Sequence, residues 1–111
     1  LGFGVLSGKY LNGNMPRDSR LKLFPNLNRF ASKQSMKATQ MYMEIAIKYG
    51  ISLTHLSLAF VNSRPFVTSN IIGASKLKQL KENIESINVA LDPEILTEIE
   101  NIQSIIPNPA P

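Results

Sequence analysis

Apolar residues recur at three- and four-residue steps through Ala38, Met41, Tyr42, Ile45, Ala46 and Tyr49, the stripe of an amphipathic helix starting near Ser35. Gly50 is the natural stop for that helix. Ser52 is placed to cap a second helix with Leu53, Leu56, Ala59 and Phe60 on one face, and Arg64-Pro65 ends it because proline disfavours helix at the residue before it. Residues 66–72, FVTSNII, change the period: a run rich in β-branched residues closing on Gly73 predicts a largely buried strand through Val67, Ile71 and Ile72. Ser75 is placed to cap the next helix, whose apolar face is Leu77, Leu80, Ile84 and Ile87. Asp92-Pro93 supplies an N-cap with proline at the first helical position, and Leu96, Ile99, Ile102, Ile105 and Ile106 line the last helix. PNPAP follows as an extended tail.

The opening third has no such period. Residues 1–10, LGFGVLSGKY, read as a glycine-rich turn leading out of a strand, and residues 11–34, rich in Asn, Pro and Arg, as a long loop. The order turn, loop, helix, helix, strand, helix, helix is α/β and calls for a parallel sheet with helices outside it. One strand and the stump of another do not make a sheet, and each unpaired buried amide costs about 1–3 kcal/mol. With Leu1 inside a turn, the expectation is a segment of a larger body.

Composition narrows the chemistry. A chain of 111 residues, 43% hydrophobic and 18% charged, has room for one small folded domain. No apolar stretch approaches the roughly 18 residues of a membrane helix, and the first residues lack the basic and apolar regions of a secretory leader, so no membrane partner is expected. The absence of cysteine and the single histidine, His55, exclude disulfides, zinc sites and thiol nucleophiles, and a chain without cysteine suits the cytoplasm. The net charge of +4 is unevenly placed: all twelve bases lie within residues 9–81 against Asp18 and Glu44, while residues 82–111 carry six acids and no base. Those bases are thinly spread, without adjacent runs or stacking aromatics, which argues against nucleic acid and for a phosphorylated small molecule or solvent.

Candidate motifs are few. Gly2-Phe3-Gly4-Val5-Leu6-Ser7-Gly8-Lys9 is not a Walker loop, since Phe3 holds the first glycine position and Tyr10 follows Lys9; a dinucleotide fingerprint would need glycine at Ser7. What remains is a flexible turn whose amides can approach phosphate oxygens beside Lys9, or a plain glycine-rich turn. Gly73 to Asn83 is more informative: a strand, then a helix start, aims free amides and the positive dipole end at one spot, with Ser75 and Lys76 as added donors. Gln79, Glu82 and Asn83 share a face there, although an ordinary capped helix with a polar side reads equally well. His55 has no carboxylate at triad spacing, Tyr10 is a proton donor only in principle, and Tyr42 and Tyr49 belong to the helical stripe.

LGFGVLSGKY, the helical pair ending LSLAFVNSRP, and SNIIGASKLKQLKENI together resemble, in order and spacing, the C-terminal third of the aldo-keto reductases, with the nearest likeness to bacterial members related to potassium-channel β subunits. The resemblance implies an incomplete (β/α)8 TIM barrel: residues 1–10 as the loop after strand 7, 11–34 as a long loop, 35–63 as a helical pair, 66–72 as strand 8, and 75–106 as the C-terminal helices. It implies NADP(H) as cofactor, with Leu1, Gly2, Phe3 and Lys9 along the pyrophosphate and Arg20 nearby. Gly73, Ser75, Lys76 and Gln79 would surround the 2′-phosphate and ribose, and Glu82 and Asn83 the adenine; Lys76 departs from the family's usual residue. The family's catalytic Asp, Tyr, Lys and His come from earlier strands, and no residue here matches them. The resemblance therefore implies the cofactor-binding segment of a carbonyl reductase, without catalytic or metal-binding residues, dependent on the remaining barrel and inactive alone. A non-catalytic nucleotide- or nucleic-acid-binding module, or a degenerate partner of an intact reductase, are the alternatives.

Overall fold

Local signals set the helix ends. The computed structural model describes residues 1–26 and 28–111, the side chain of Asn28 excepted, so position 27 of the expected long loop lies outside the described residues. The α-helices are α1 (Arg20–Leu23), α2 (Lys33–Lys48), α3 (Leu53–Asn62), α4 (Leu77–Glu85) and α5 (Pro93–Ile105), with 3-10 turns at Gly2–Ser7, Leu11–Gly13, Asn28–Ala31 and Ser86–Asn88. Ser32 starts α2 by accepting the Ser35 amide at 3.0 Å, and Ser52 starts α3 by accepting the His55 amide at 3.0 Å. Helix α2 ends in a Schellman motif: Gly50 sits at φ +69°, its amide donates to the Ile47 carbonyl at 3.2 Å, and the Ile51 amide reaches the Ala46 carbonyl at 3.0 Å. Pro93 occupies the first turn of α5 after Asp92, whose side chain makes no capping hydrogen bond.

Helices α2, α3 and α5 enclose the main core of Ile45, Ala46, Leu53, Leu56, Ile95, Ile99 and Ile102, with Tyr42, Tyr49, Ile51 and Phe60 packed around it. A second, smaller core joins the start of the chain to α1 and α2: Val5, Tyr10 and Leu21, flanked by Phe3, Phe30, Ala31 and Met36. No helix among the described residues is long and apolar enough to cross a membrane.

Two expectations are corrected. The described residues form helices and turns but no strand, so the sheet of an α/β fold is not formed among them. Residues 66–72 carry the β-branched pattern, yet Phe66 is 81% and Ile71 94% exposed. A strand exists only as a hydrogen-bonded pair, and among the described residues no second strand lies alongside to complete a ladder. The second correction concerns α4. Ser75 does not cap it, and Lys76 is the N-cap residue; the apolar face of Leu77, Leu80 and Ile84, with Ile87 in the turn that follows, is exposed, as expected for a segment of a larger body. Its polar side is the one that packs on α3.

The consequence is a large surface. A folded monomer of 12.3 kDa is expected to expose about 6,100 Å². This chain exposes 7507 Å². The bare residues of segment 66–72 and of α4 contribute to the difference.

Candidate functional site

Both segments carrying the expected donors pack against α3. In the Gly2–Ser7 turn, Gly2, Phe3 and Gly4 have φ of +52°, +55° and +91°, a left-handed run that brings the chain back on itself. The Leu1 carbonyl closes it by accepting the Gly4 and Leu6 amides at 3.0 and 3.2 Å. Phe3 pays for this backbone with about 1–2 kcal/mol of local strain. Its ring centroid lies 5.0 Å from that of Phe30, the Arg20 guanidinium sits 5.5 Å above it, and its carbonyl accepts the Tyr10 hydroxyl at 3.3 Å. The buried Tyr10 oxygen also accepts the Leu21 amide at 3.3 Å, so Tyr10 braces the turn rather than standing ready as a proton donor.

Lys9 folds back over Gly4. A Cβ on Gly4 would fall 2.5 Å from Lys9 Cε and 2.6 Å from Nζ, so only glycine lets the ammonium lie there. Lys9 and Arg20 thus bring two cations to a turn of the kind whose amides form anion-binding concavities.

At the start of α4, three donors converge on one atom. The Ser75 amide at 3.1 Å, the Ser75 hydroxyl at 3.2 Å and the Lys76 amide at 3.2 Å all point to Oε1 of Gln79. The Gln79 carboxamide thereby occupies the spot that the dipole and the free amides favour for a negative oxygen. Behind it, the buried Asn83 donates from Nδ2 to the Gly73 carbonyl at 3.3 Å and pins the approach to the helix. Glu82 faces α3, where Oε1 accepts the Ser52 hydroxyl at 2.7 Å. His55 Nε2 lies 3.0 Å from the Glu82 carbonyl, which can only accept, so that nitrogen carries the proton.

The two segments are not joined to each other. No hydrogen bond or aromatic contact among the described residues links residues 1–9 with 73–83. Leu1, Gly2, Phe3, Lys9 and Arg20 form one group; Gly73, Ser75, Lys76, Gln79, Glu82 and Asn83 form another. An apolar cleft of about 420 Å³ between α2, α3 and α5 is lined by Leu6, Tyr42, Leu56, Phe60 and Ile99, with Glu100 beside it, and by none of these residues. Burial there, and then the Glu100 charge, raise the Tyr42 phenol above its ordinary pKa.

The sequence profile described as "Aldo/keto reductase family" matches residues 1–104. The chain belongs to the aldo/keto reductase family. It is 43% identical over its whole length to "Protein tas" of Escherichia coli, of which it covers 32%. It is 39% identical over 92% of its length to a "Probable voltage-gated potassium channel subunit beta" of Oryza sativa, covering 33% of that protein. It is 34% identical over 77% of its length to an "L-glyceraldehyde 3-phosphate reductase" of E. coli, covering 26%. The chain thus spans about a third or less of each of these relatives.

Family membership does not reveal the scaffold beneath the second group. Asn62 Nδ2 donates to Ser86 Oγ at 3.3 Å, Ser86 Oγ to the Asn83 carbonyl at 2.6 Å, and Asn70 Nδ2 to Asn62 Oδ1 at 3.0 Å. Sequence reasoning missed Asn62, Asn70 and Ser86. For Ser86, just past α4, the available signal was polar residues at helical spacing opposite the apolar stripe; Asn62 at the end of α3 and Asn70 in segment 66–72 carry no such mark.

Proposed function

We propose that this chain is the C-terminal, cofactor-holding part of an NADP(H)-dependent aldo/keto reductase that reduces aldehydes and ketones in the cytoplasm. The observation that carries the reading is the convergence of Ser75 and Lys76 donors on a single oxygen at the N-terminus of α4. A phosphate oxygen in place of Gln79 Oε1 meets the same three donors, the helix dipole and the Lys76 charge. The Gly2–Ser7 turn, with Lys9 and Arg20, suits the pyrophosphate, and Glu82 and Asn83 lie on the side of α4 suited to the adenine. Bound NADPH supplies the hydride; the residues of this chain only hold and orient it. With none of the family's catalytic tetrad matched here, the chain alone is inactive. The exposed faces of segment 66–72 and α4 are the surfaces on which the remaining barrel closes.

The test is a titration of the chain with NADPH and NADH, followed by amide NMR shifts. Preference for NADPH that disappears in Lys76→Ala supports the assignment; equal affinity for the two cofactors removes the 2′-phosphate site. Adding the preceding portion of a relative's barrel should restore carbonyl reduction. The relatives named as channel β subunits and the bare α4 face favour a second reading, a non-catalytic partner docking on another protein. Cofactor binding without restored reduction would favour that second reading.

A further inference from the structure

The closing segment PNPAP lacks any periodic pattern, and three of its five residues have no amide to donate. It is nevertheless held by four side-chain hydrogen bonds to its carbonyls, one of them from Gln103 Nε2 in α5 to the Pro107 carbonyl at 2.8 Å. The Pro109 carbonyl accepts the Ser32 hydroxyl at 2.8 Å and the Ser35 hydroxyl at 2.7 Å, and the Ala110 carbonyl accepts Arg29 Nη2 at 3.2 Å. Ser32 is the N-cap of α2, and Ser35 is buried.

Ser32, Ser35 and Arg29 stand directly behind the glycine turn. Arg29 lies 4.8 Å over the Phe30 ring, and Phe30 packs on Phe3 at 5.0 Å. The same ring backs Gly2, where a Cβ would meet Phe30 Cδ1 at 3.5 Å. Met36, next to Ser35 in the first turn of α2, packs in the same small core as Val5 and Phe3. Phe3, a non-glycine residue at φ +55°, occupies a backbone conformation that persists only when its surroundings over-determine it.

We infer that residues 107–111 are a strap that fixes the Gly2–Ser7 turn in its left-handed form, acting through Ser35 and Arg29 as positioning residues. The inference rests on reading that turn as the pyrophosphate loop. The path from the strap to the turn is short: Pro109 to Ser35, then Met36 to the small core that holds Val5; and Ala110 to Arg29, then Phe30 to Phe3 and Gly2. Ser35 is the better residue to alter, because Ser32 also caps α2 and its loss would have a second cause.

The test is hydrogen exchange of the 111-residue chain, comparing wild type, Ser35→Ala, Ser35→Thr, a chain lacking residues 107–111, and Ser104→Ala. The last removes a hydroxyl-to-carbonyl bond of the same kind within α5 and serves as the control. Expected are amides of residues 2–8 exchanging about five-fold faster in Ser35→Ala, the effect of one net hydrogen bond, and faster still without the strap. Ser35→Thr keeps the hydroxyl and restores the wild-type rate, and α3 amides stay unchanged throughout. NADPH and NADH affinities fall together, in contrast to Lys76→Ala. Faster exchange confined to the first turn of α2, or spread equally over α3, overturns the strap. Because the exchange readout needs no cofactor, its failure removes the strap and leaves the cofactor reading standing, while a wild-type chain that ignores NADPH even with the preceding barrel portion supplied removes the cofactor reading and leaves the strap as a brace of the turn.

Discussion

Replacing Ile84 with alanine should leave the stability of the 111-residue chain nearly unchanged, whereas Ile99→Ala should cost it heavily. Both residues sit on the apolar stripe of their helix, so the amphipathic pattern alone ranks them as equals. The structure separates them: Ile84 is 58% exposed and Ile99 only 7%. Fully burying an isoleucine is worth about 1.5–3 kcal/mol, so the part of Ile84 that is covered contributes about 1 kcal/mol. Alanine returns several tenths of a kcal/mol through its better helix propensity, and no cavity opens on an open face. The expected net loss is therefore about 0.5 kcal/mol. Ile99, on α5, is buried in the core shared with α2 and α3 and borders the apolar cleft, so its truncation removes a buried side chain and enlarges that cleft, which places the loss at about 2–5 kcal/mol. Urea unfolding followed by circular dichroism measures both, with an unchanged slope confirming that the midpoints report stability. Equal losses for the two variants would refute the exposed face, and a midpoint that rises with chain concentration would identify self-association as its cover. Supplying the rest of the barrel should bring the Ile84→Ala loss up toward that of Ile99→Ala.

Three further outcomes are expected. Gly50→Ala puts a side chain at φ +69° where a Cβ would touch nothing within 4 Å, so the loss is backbone strain alone, about 1–2 kcal/mol, and Gly50→Asn loses less; equal unfolding midpoints for Gly, Ala and Asn would contradict this. Gln79→Glu places a carboxylate where the Ser75 and Lys76 donors converge, which should lower NADPH affinity by about tenfold or more through like-charge repulsion and leave NADH little affected; equal losses for both would detach Gln79 from the 2′-phosphate. The Lys48 ammonium at 2.5 Å, and then the Tyr49 hydroxyl at 2.7 Å, hold the Glu98 carboxyl below its ordinary pKa, while bonding to Glu98 raises both partners. Their contribution is complete between the carboxylate and phenol ranges, declines in acid through the lowered Glu98 pKa, and declines in base through the raised Tyr49 and Lys48 values. Glu98→Gln should flatten both limbs of the stability–pH curve, and a wild-type-to-variant difference constant with pH would refute the linkage.

What the sequence reveals here depends on how far apart the partners lie. The cap at Ser52, the Gly50 stop and the Pro93 start each involve residues within five positions of one another and are legible as local patterns, whereas the apolar stripe alone puts the start of α2 near Ser35 rather than at its Ser32 cap. So are the donor types at Ser75 and Lys76, and even the return of the Gln79 side chain, one helical turn away, is a capping-box geometry. The bond from Asn83 to the Gly73 carbonyl is ten residues long, and that from Ser35 to Pro109 is 74. Nothing in the chemistry of serine or proline marks those two as a pair.

The missing strand and the bare face of α4 share a different origin. Periodicity identifies which face of α4 is apolar, and β-branching identifies which segment favours a ladder; neither says that the neighbour is within the same 111 residues. What α4 does find is polar: Ser52 on Glu82, His55 on its carbonyl, and Asn62 on Ser86. Those bonds fix the register of α4 on α3 but leave its apolar stripe largely exposed, so the helix is oriented before that stripe is fully covered. Its N-terminus, where the Ser75 and Lys76 donors meet, is therefore already set by α3 and Asn83. On the proposed reading, closure of the barrel would add the apolar stabilisation without having to build the phosphate site.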